Sequence, residues 1–567
     1  MAGKKHLRGG LHVARTHTRR GMQAAVSALA LCFVVVSAAQ GKHAEIVADL
    51  KRNAEQYERE GNWLAAVETY AELIRRQPDA PAWPNQLRRC QRQDEIARRY
   101  ATGGAAHKML NVSLDEIAAL YGDVLAKIQN HYVEEVEFAP LLNQGLENLE
   151  LALHNRTFLC AVLPPGIAEE TLNRYRSELR LRWTGSVVND RLDAQRRAKS
   201  LALSMRQDLG AKPSAIVLEF IYAACAALDA YSAYLPPDRF ALERTLSQGR
   251  LAGVGIELHQ GLMQVVITSV APSSPAARSG IEPNEQLISI DGESSRTMSL
   301  EEATLRLFGQ EGSRVVLEVQ SALDRQPRRI ELERQRLITP SITDARIVDL
   351  ELGIGYIQLG FFQTSTMKEL DTELAKLTDQ GMHVLILDLR GNPGGLFSAA
   401  VETADRFIAT GVLVSSRGRS QGTSEVFRAK EEQTATVPMV VLIDAETASG
   451  AEVVAGAIKD HHRGVIVGQR SAGKGSMQHV FPLTLPAARL GSAVGDGAAA
   501  LRLTTAKLFS PLDNPYTDHG VLPDIVVDHV PDMGDPSSMM GVLQLQRHQF
   551  ETALHAAREL AAKPGNP

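Results

Sequence analysis

Cysteine is scarce in this 567-residue chain, with four in all: Cys32, Cys90, Cys160 and Cys225. The first lies in an apolar leader. The other three are odd in number and widely spaced, which excludes a disulfide framework and leaves at most one pair open. No His, Cys or Asp cluster has metal-ligand spacing, so neither a metal nor another cofactor is expected. An excess of basic charge is also missing, since the formal net charge is −5. The first 39 residues hold six Lys and Arg and no acid, so the remainder is more acidic still. Nucleic acid is therefore not expected as a partner. No apolar run reaches the length of a comfortable membrane span.

The composition that remains, 44% hydrophobic and 22% charged, is that of a globular protein with ample core. The length corresponds to about three or four domains at ~150 residues each. Residues 1–39 read as an export signal. A basic segment is followed by an apolar stretch, Leu29 to Val36, and by small residues Ser37-Ala38-Ala39 before Gln40. The expected destination is the periplasm, free or held at the membrane by an uncleaved leader.

From residue 40 to about 105 the pattern is helical. Leu50, Ala54, Tyr57, Gly61, Ala66, Tyr70 and Pro78 fall at the spacing of one tetratricopeptide-like repeat. A lone repeat cannot bury its own face, so it is expected either to offer a docking surface for an adaptor protein or to serve as a spacer. Residues 106–248 continue as helices and open with a capping box at Ser113-Leu114-Asp115-Glu116. From 249 to 336 short strands and glycine turns take over, starting at Gly253-Val254-Gly255-Ile256 and ending in the strand Arg314 to Gln320. The order of elements resembles a PDZ domain. Glycines there let successive amides turn inward as a nest for a peptide's terminal carboxylate, and Val254 and Ile256 suggest an apolar pocket for its last side chain.

Strands and helices alternate from 337 to 530. A buried strand, Val384 to Arg390, runs into Gly391-Asn392-Pro393-Gly394-Gly395, where free amides could meet an oxyanion. A second apolar strand, Met439 to Asp444, turns through Thr447-Ala448-Ser449-Gly450 into a helix spanning Ala451 to Asp460. That turn lifts a hydroxyl toward the positive end of a helix. A third strand, Gly464 to Gly468, leads to Gly473-Lys474-Gly475-Ser476-Met477-Gln478. Ser449 is the expected nucleophile and Lys474 its general base, a role that needs the amine neutral. The lysine segment also fits G-x-x-x-x-G-K, the phosphate-binding pattern. Gly475 stands where a magnesium-binding Ser or Thr belongs, however, and the chain then reads as extended, which argues against nucleotide. His461-His462, followed by Arg463 at a helix end, read as solvated. Residues 531–567 form a helical tail.

Together these blocks resemble the C-terminal processing peptidases, or tail-specific proteases, over roughly Ile117 to Asp528, with a helical insertion at about 151–213. The blocks are Leu228-Asp229-Ala230-Tyr231-Ser232, the Gly253 turn, Asp388 to Gly395, Thr447 to Glu452, Gly473 to Gln478 and His519 to Ile525. The resemblance implies a multidomain α/β architecture with a helical N-terminal region, a PDZ domain and a peptidase core of the ClpP/crotonase-like type. It also implies a Ser449–Lys474 dyad, with Gln478 orienting the lysine and the amides of Gly395 and Gly450 as oxyanion donors. The implied substrates are polypeptides with apolar C-termini. Gly450 departs from the alanine often found after the nucleophile. A catalytically silent scaffold that binds protein tails is the alternative.

Overall fold

The computed structural model describes residues 45–77, 80–102, 104–183, 188–247, 252–260, 265–298, 300–321, 326–336, 340–430, 434–483, 498–530 and 539–562. The leader and Pro78 lie outside the described residues. Among those described, no helix is long and apolar enough to cross a membrane.

The N-terminal helices 45–60 and Trp63–Arg76 share a small core of Val47, Ala54, Ala66, Tyr70, Leu73 and Cys90 with the helix Ala82–Tyr100. That third helix is apolar on two sides. Cys90 packs in the small core, while Ile96 and Tyr100 pack in a larger bundle with Leu114–His131, Phe138–Ala152, Arg191–Leu209 and Pro213–Ala226. The helix starting at Leu114 carries the expected capping box. Ser113 Oγ accepts from the Glu116 amide at 3.3 Å, and Glu116 Oε2 accepts from the Ser113 amide at 3.0 Å. The open question of a disulfide is answered by packing. Cys90, Cys160 and Cys225 are all free, the first and last buried in different cores and Cys160 exposed.

The PDZ region is an antiparallel sheet of Ile256–Gln260, Val265–Val270, Gln286–Ile290, Arg314–Gln320 and Arg328–Glu333, joined in that order. Val254 is 1% exposed and sits in this sheet's own core, so it lines no open pocket. The amide of Gly253 donates to Gln335 O at 2.9 Å and is not free for a carboxylate. Gly255 has a φ of +80°, and a Cβ there would lie 2.2 Å from Ser274 Cβ. The glycine is thus required by the turn itself, before any ligand is considered.

The peptidase region holds two sheets. One is a six-stranded sheet ordered Ile525–Val526, Gly464–Gly468, Met439–Ile443, Val384–Asp388, Ile354–Leu359 and Ile342–Asp349. Its pairs are parallel except the last. Its central strands are buried on both faces, as continuous apolar runs demand. The helices Thr366–Asp379, Phe397–Phe407 and Gly450–Asp460 share a core with one face, and Met539–Ala561 shares one with the other. The second sheet centres on Ala499–Phe509, which pairs with Ala233–Leu235, Val412–Arg417 and Ser476–Leu483. Leu501 and Leu503 of that strand enter the core of the helical bundle, so the bundle is built onto the peptidase sheet.

Candidate active site

Two adjacent parallel strands, Val384–Asp388 and Met439–Ile443, deliver the two glycine-bearing turns to the same end of the sheet. Asp444 fastens the turns together. Its carboxylate accepts from the amide of Gly391 at 3.0 Å on one turn and from those of Glu446 and Thr447, both at 3.0 Å, on the other. Thr447 Oγ1 donates to Leu389 O at 2.9 Å, and the Ala448 amide donates to Asn392 O at 2.9 Å.

Ser449 follows with φ 56° and ψ −117°, a conformation that costs a non-glycine residue about 1–3 kcal/mol. It is held there because its amide donates to Glu452 Oε2 at 2.8 Å and its carbonyl accepts the Glu452 and Val453 amides of the first helical turn. The same Glu452, 1% exposed, uses Oε1 to accept from Ser471 Oγ and from the Gly473 amide, each at 2.7 Å. One buried carboxylate therefore joins the serine turn to the lysine loop. Burial raises the pKa of Glu452, and its hydrogen bonds oppose that rise.

Lys474 sits in a loop crossed closely by residues 516–518. The Asp518 amide donates to Gly473 O at 3.0 Å, and a Cβ on Gly475 would lie 2.3 Å from Thr517 N. The lysine is half-buried, with Nζ 5.3 Å from the centroid of the Tyr231 ring. Burial lowers its pKa below the usual lysine value; the Arg502 guanidinium lowers it further and Glu452 raises it. No hydrogen bond joins Lys474 Nζ to Ser449 Oγ in this structure. Gln478 lies at the start of the strand Ser476–Leu483, where its amide donates to Ser476 Oγ at 2.8 Å, not to Lys474.

The oxyanion side is formed by glycine contacts. Gly394, with φ +105°, faces the nucleophile: a Cβ there would lie 2.8 Å from Ser449 Cβ and 3.1 Å from the Gly450 amide nitrogen. Any side chain at that position would crowd the space beside the hydroxyl. Gly395 is turned to Phe362, whose carbonyl would meet its Cβ at 2.2 Å. Gly450 also has a packing reason, because a Cβ would come within 2.9 Å of Ala400 Cβ.

The structure thus brings Ser449, Gly450, Lys474 and the Gly394-Gly395 turn to one place, while residues 253–256 belong to the PDZ sheet. Sequence reasoning missed Glu452, Tyr231, Arg502 and Gly394 as members of the site. For Glu452 a signal existed, in the spacing of three residues after Ser449 that marks a capping box. His461 is not merely solvated: its Nε2 contacts Val412 O at 2.7 Å. It stands at the opposite end of the helix from Ser449, about 18 Å away at 1.5 Å per residue. The segment after Lys474 is a strand, as expected, so no helix N-terminus receives a phosphate.

Comparison with known proteins gives two family matches, peptidase family S41 over residues 353–527 and a PDZ domain over residues 266–321. A carboxyl-terminal-processing protease of Synechocystis sp. is 35% identical over 302 residues, covering 53% of this chain and 67% of its own. One from Picosynechococcus sp. is 33% identical over 309 residues, covering 53% and 70%. A carboxy-terminal-processing protease of Bartonella bacilliformis is 33% identical over 306 residues, covering 53% and 67%.

Proposed function

Because the chain belongs to the carboxyl-terminal-processing proteases of peptidase family S41, a serine-type peptidase family, we propose that it is an exported endopeptidase that selects polypeptides by their C-termini and cuts them with a Ser449–Lys474 dyad. The observation that carries the reading is the strained Ser449 turn bound through Glu452 to the loop of a lysine whose pKa is lowered. A neutral Lys474 takes the hydroxyl proton as Ser449 Oγ forms a bond to the scissile carbonyl carbon. The resulting oxyanion meets the amides of Gly450 and Gly395, since the neighbouring Gly394 amide is already given to Asn392 Oδ1 at 2.9 Å. The lysine then passes its proton to the leaving amine as the C–N bond breaks, and water later releases the acyl group by the same route. Gln478 is assigned to orient the lysine once substrate closes the site, and the PDZ domain to hold the substrate's tail. The leader is assigned to export, to the periplasm or to its membrane face, and the N-terminal helices to an adaptor.

The test uses the full chain and one unfolded substrate with an apolar tail, supplied free or amidated. Ser449→Ala and Lys474→Ala are each expected to lower kcat/KM by at least about 10³-fold, and the double variant to be no worse, since the two act as a unit. The wild-type rate is expected to rise with pH as Lys474 loses its proton, and to do so below the range of an ordinary lysine. Near-normal turnover by Lys474→Ala would remove the base. Equal rates on free and amidated tails would remove tail selection, and tail binding without cleavage would leave the scaffold.

A further inference from the structure

Lys474 is only half-buried, so loss of hydration is an incomplete means of keeping its amine unprotonated. Two of its neighbours favour the ammonium. Glu452 lies on the helix below it, and the Tyr231 ring attracts a cation to its face. Asp229 and Asp518 add negative charge around the same tyrosine. The Arg502 guanidinium opposes them. Arg502, on the strand Ala499–Phe509, pairs across the sheet with Ala233 on one side and Val480 on the other. Its Nε donates to Tyr231 O at 3.0 Å and its Nη1 to Glu243 Oε1 at 2.9 Å. The guanidinium is thereby fixed beside the residue whose ring carries the lysine.

We propose that Arg502 is a positioning residue of the hydrolytic reaction, anchored by Glu243 and the Tyr231 carbonyl so that its permanent charge keeps Lys474 available as a base. The inference rests on the reading of Lys474 as the general base. A guanidinium suits the task because it does not lose its proton at any working pH, and its fork reaches a carbonyl and a carboxylate at once. Burial is the largest cause of the lowered Lys474 pKa and Arg502 is the next, acting in the same direction. Glu243 stands on the helix Pro237–Ser247 and limits how much of that charge the lysine feels.

The experiment measures kcat/KM against pH, from about 6 to 10, for the full chain and four variants on one unfolded substrate. Arg502→Gln is expected to move the rising limb upward by about one pH unit, with the alkaline plateau within about threefold of wild type. Arg502→Lys, which keeps the charge, is expected to leave the limb within a few tenths of a unit. Glu243→Gln, which leaves the guanidinium on the Tyr231 carbonyl but uncompensated, is expected to move it downward. An Arg502→Gln enzyme weakened equally at every pH, with its limb in place, would reduce Arg502 to packing. A limb that stays put in Glu243→Gln overturns the proposal even if Arg502→Gln does not fold. Lys474→Ala separates the two levels. If it is inactive throughout while the limbs do not move, only the Arg502 inference falls; if it is active, the base assignment falls as well.

Discussion

Glu452 and Glu219 are the same side chain in nearly the same degree of burial, 1% and 0% exposed, and burial raises the pKa of both. They are held in different ways, and only Glu452 uses both of its oxygens. Glu452 meets backbone amides of Ser449 and Gly473 and the hydroxyl of Ser471, all from the two loops of one site. Glu219 lies on the helix Pro213–Ala226 and meets side chains from two others: the Arg99 guanidinium at 3.4 Å and the Asn148 amide. Arg99 in turn lies 4.2 Å from the Tyr222 ring centroid. A carboxylate held by amides fixes where loops lie, because those donors belong to the backbone that it positions. A carboxylate held by a cation fixes how helices pack, and the two charges can be exchanged for something else together. The first arrangement suits a site, the second a scaffold.

The largest expected effect tests the scaffold half of this contrast. Glu219→Ala leaves the Arg99 charge buried without its partner, and should cost about 3–5 kcal/mol of stability in urea denaturation. A loss below about 1 kcal/mol would mean that water or a shifted Arg99 satisfies the charge, and the contrast would fail. Next comes Glu452→Gln. An amide in that place must turn its NH₂ toward at least one N–H or O–H donor, which displaces the serine turn or the lysine loop. Kcat/KM should fall about 10²-fold, as small misplacements of reacting groups do, while the thermal midpoint changes by only a few degrees. A large drop in midpoint with a proportionate loss of rate would make Glu452 another scaffold residue. The smallest effect belongs to the double variant Arg99→Met, Glu219→Leu, which removes both charges and keeps the volume. Its stability should lie within about 2 kcal/mol of wild type, the remaining cost being the Asn148 amide left without its acceptor, and a loss as large as that of Glu219→Ala would show that the pair is not replaceable as a unit.

Much of the peptidase was legible because its signals are local. The runs Val384–Asp388, Met439–Ile443 and Gly464–Gly468 are apolar but for the terminal Asp388, bounded by turns and too short for helices, and they form the buried parallel strands. The turns that hold Ser449 and Lys474 were legible from the glycines and small residues that form them. The PDZ strand Arg314–Gln320 was also legible, and the structure buries every second residue of it, Val315, Leu317 and Val319. What periodicity and turn chemistry report is the neighbourhood of a few residues.

The rest depended on distances along the chain that no local pattern spans. Tyr231 and Arg502 are far apart in sequence and meet because Ala233–Leu235 pairs with Ala499–Phe509. The Gly253 amide read as free until the return of the chain at Gln335 took it. The glycine beside the nucleophile proved to be Gly394 as much as its neighbour, a distinction of one residue set by how two turns abut. The sequence by itself determined the apolar strands of the parallel sheet, where the sharp turns fall and which side chains have the chemistry for hydrolysis, since those follow from backbone preference and side-chain type. The strand Ala499–Phe509 at the centre of the second sheet carried no such signal. The tertiary structure alone decided which charges and amides surround Lys474, because the protonation of an amine is set by everything within a few ångströms of it, and that neighbourhood is drawn from the whole chain.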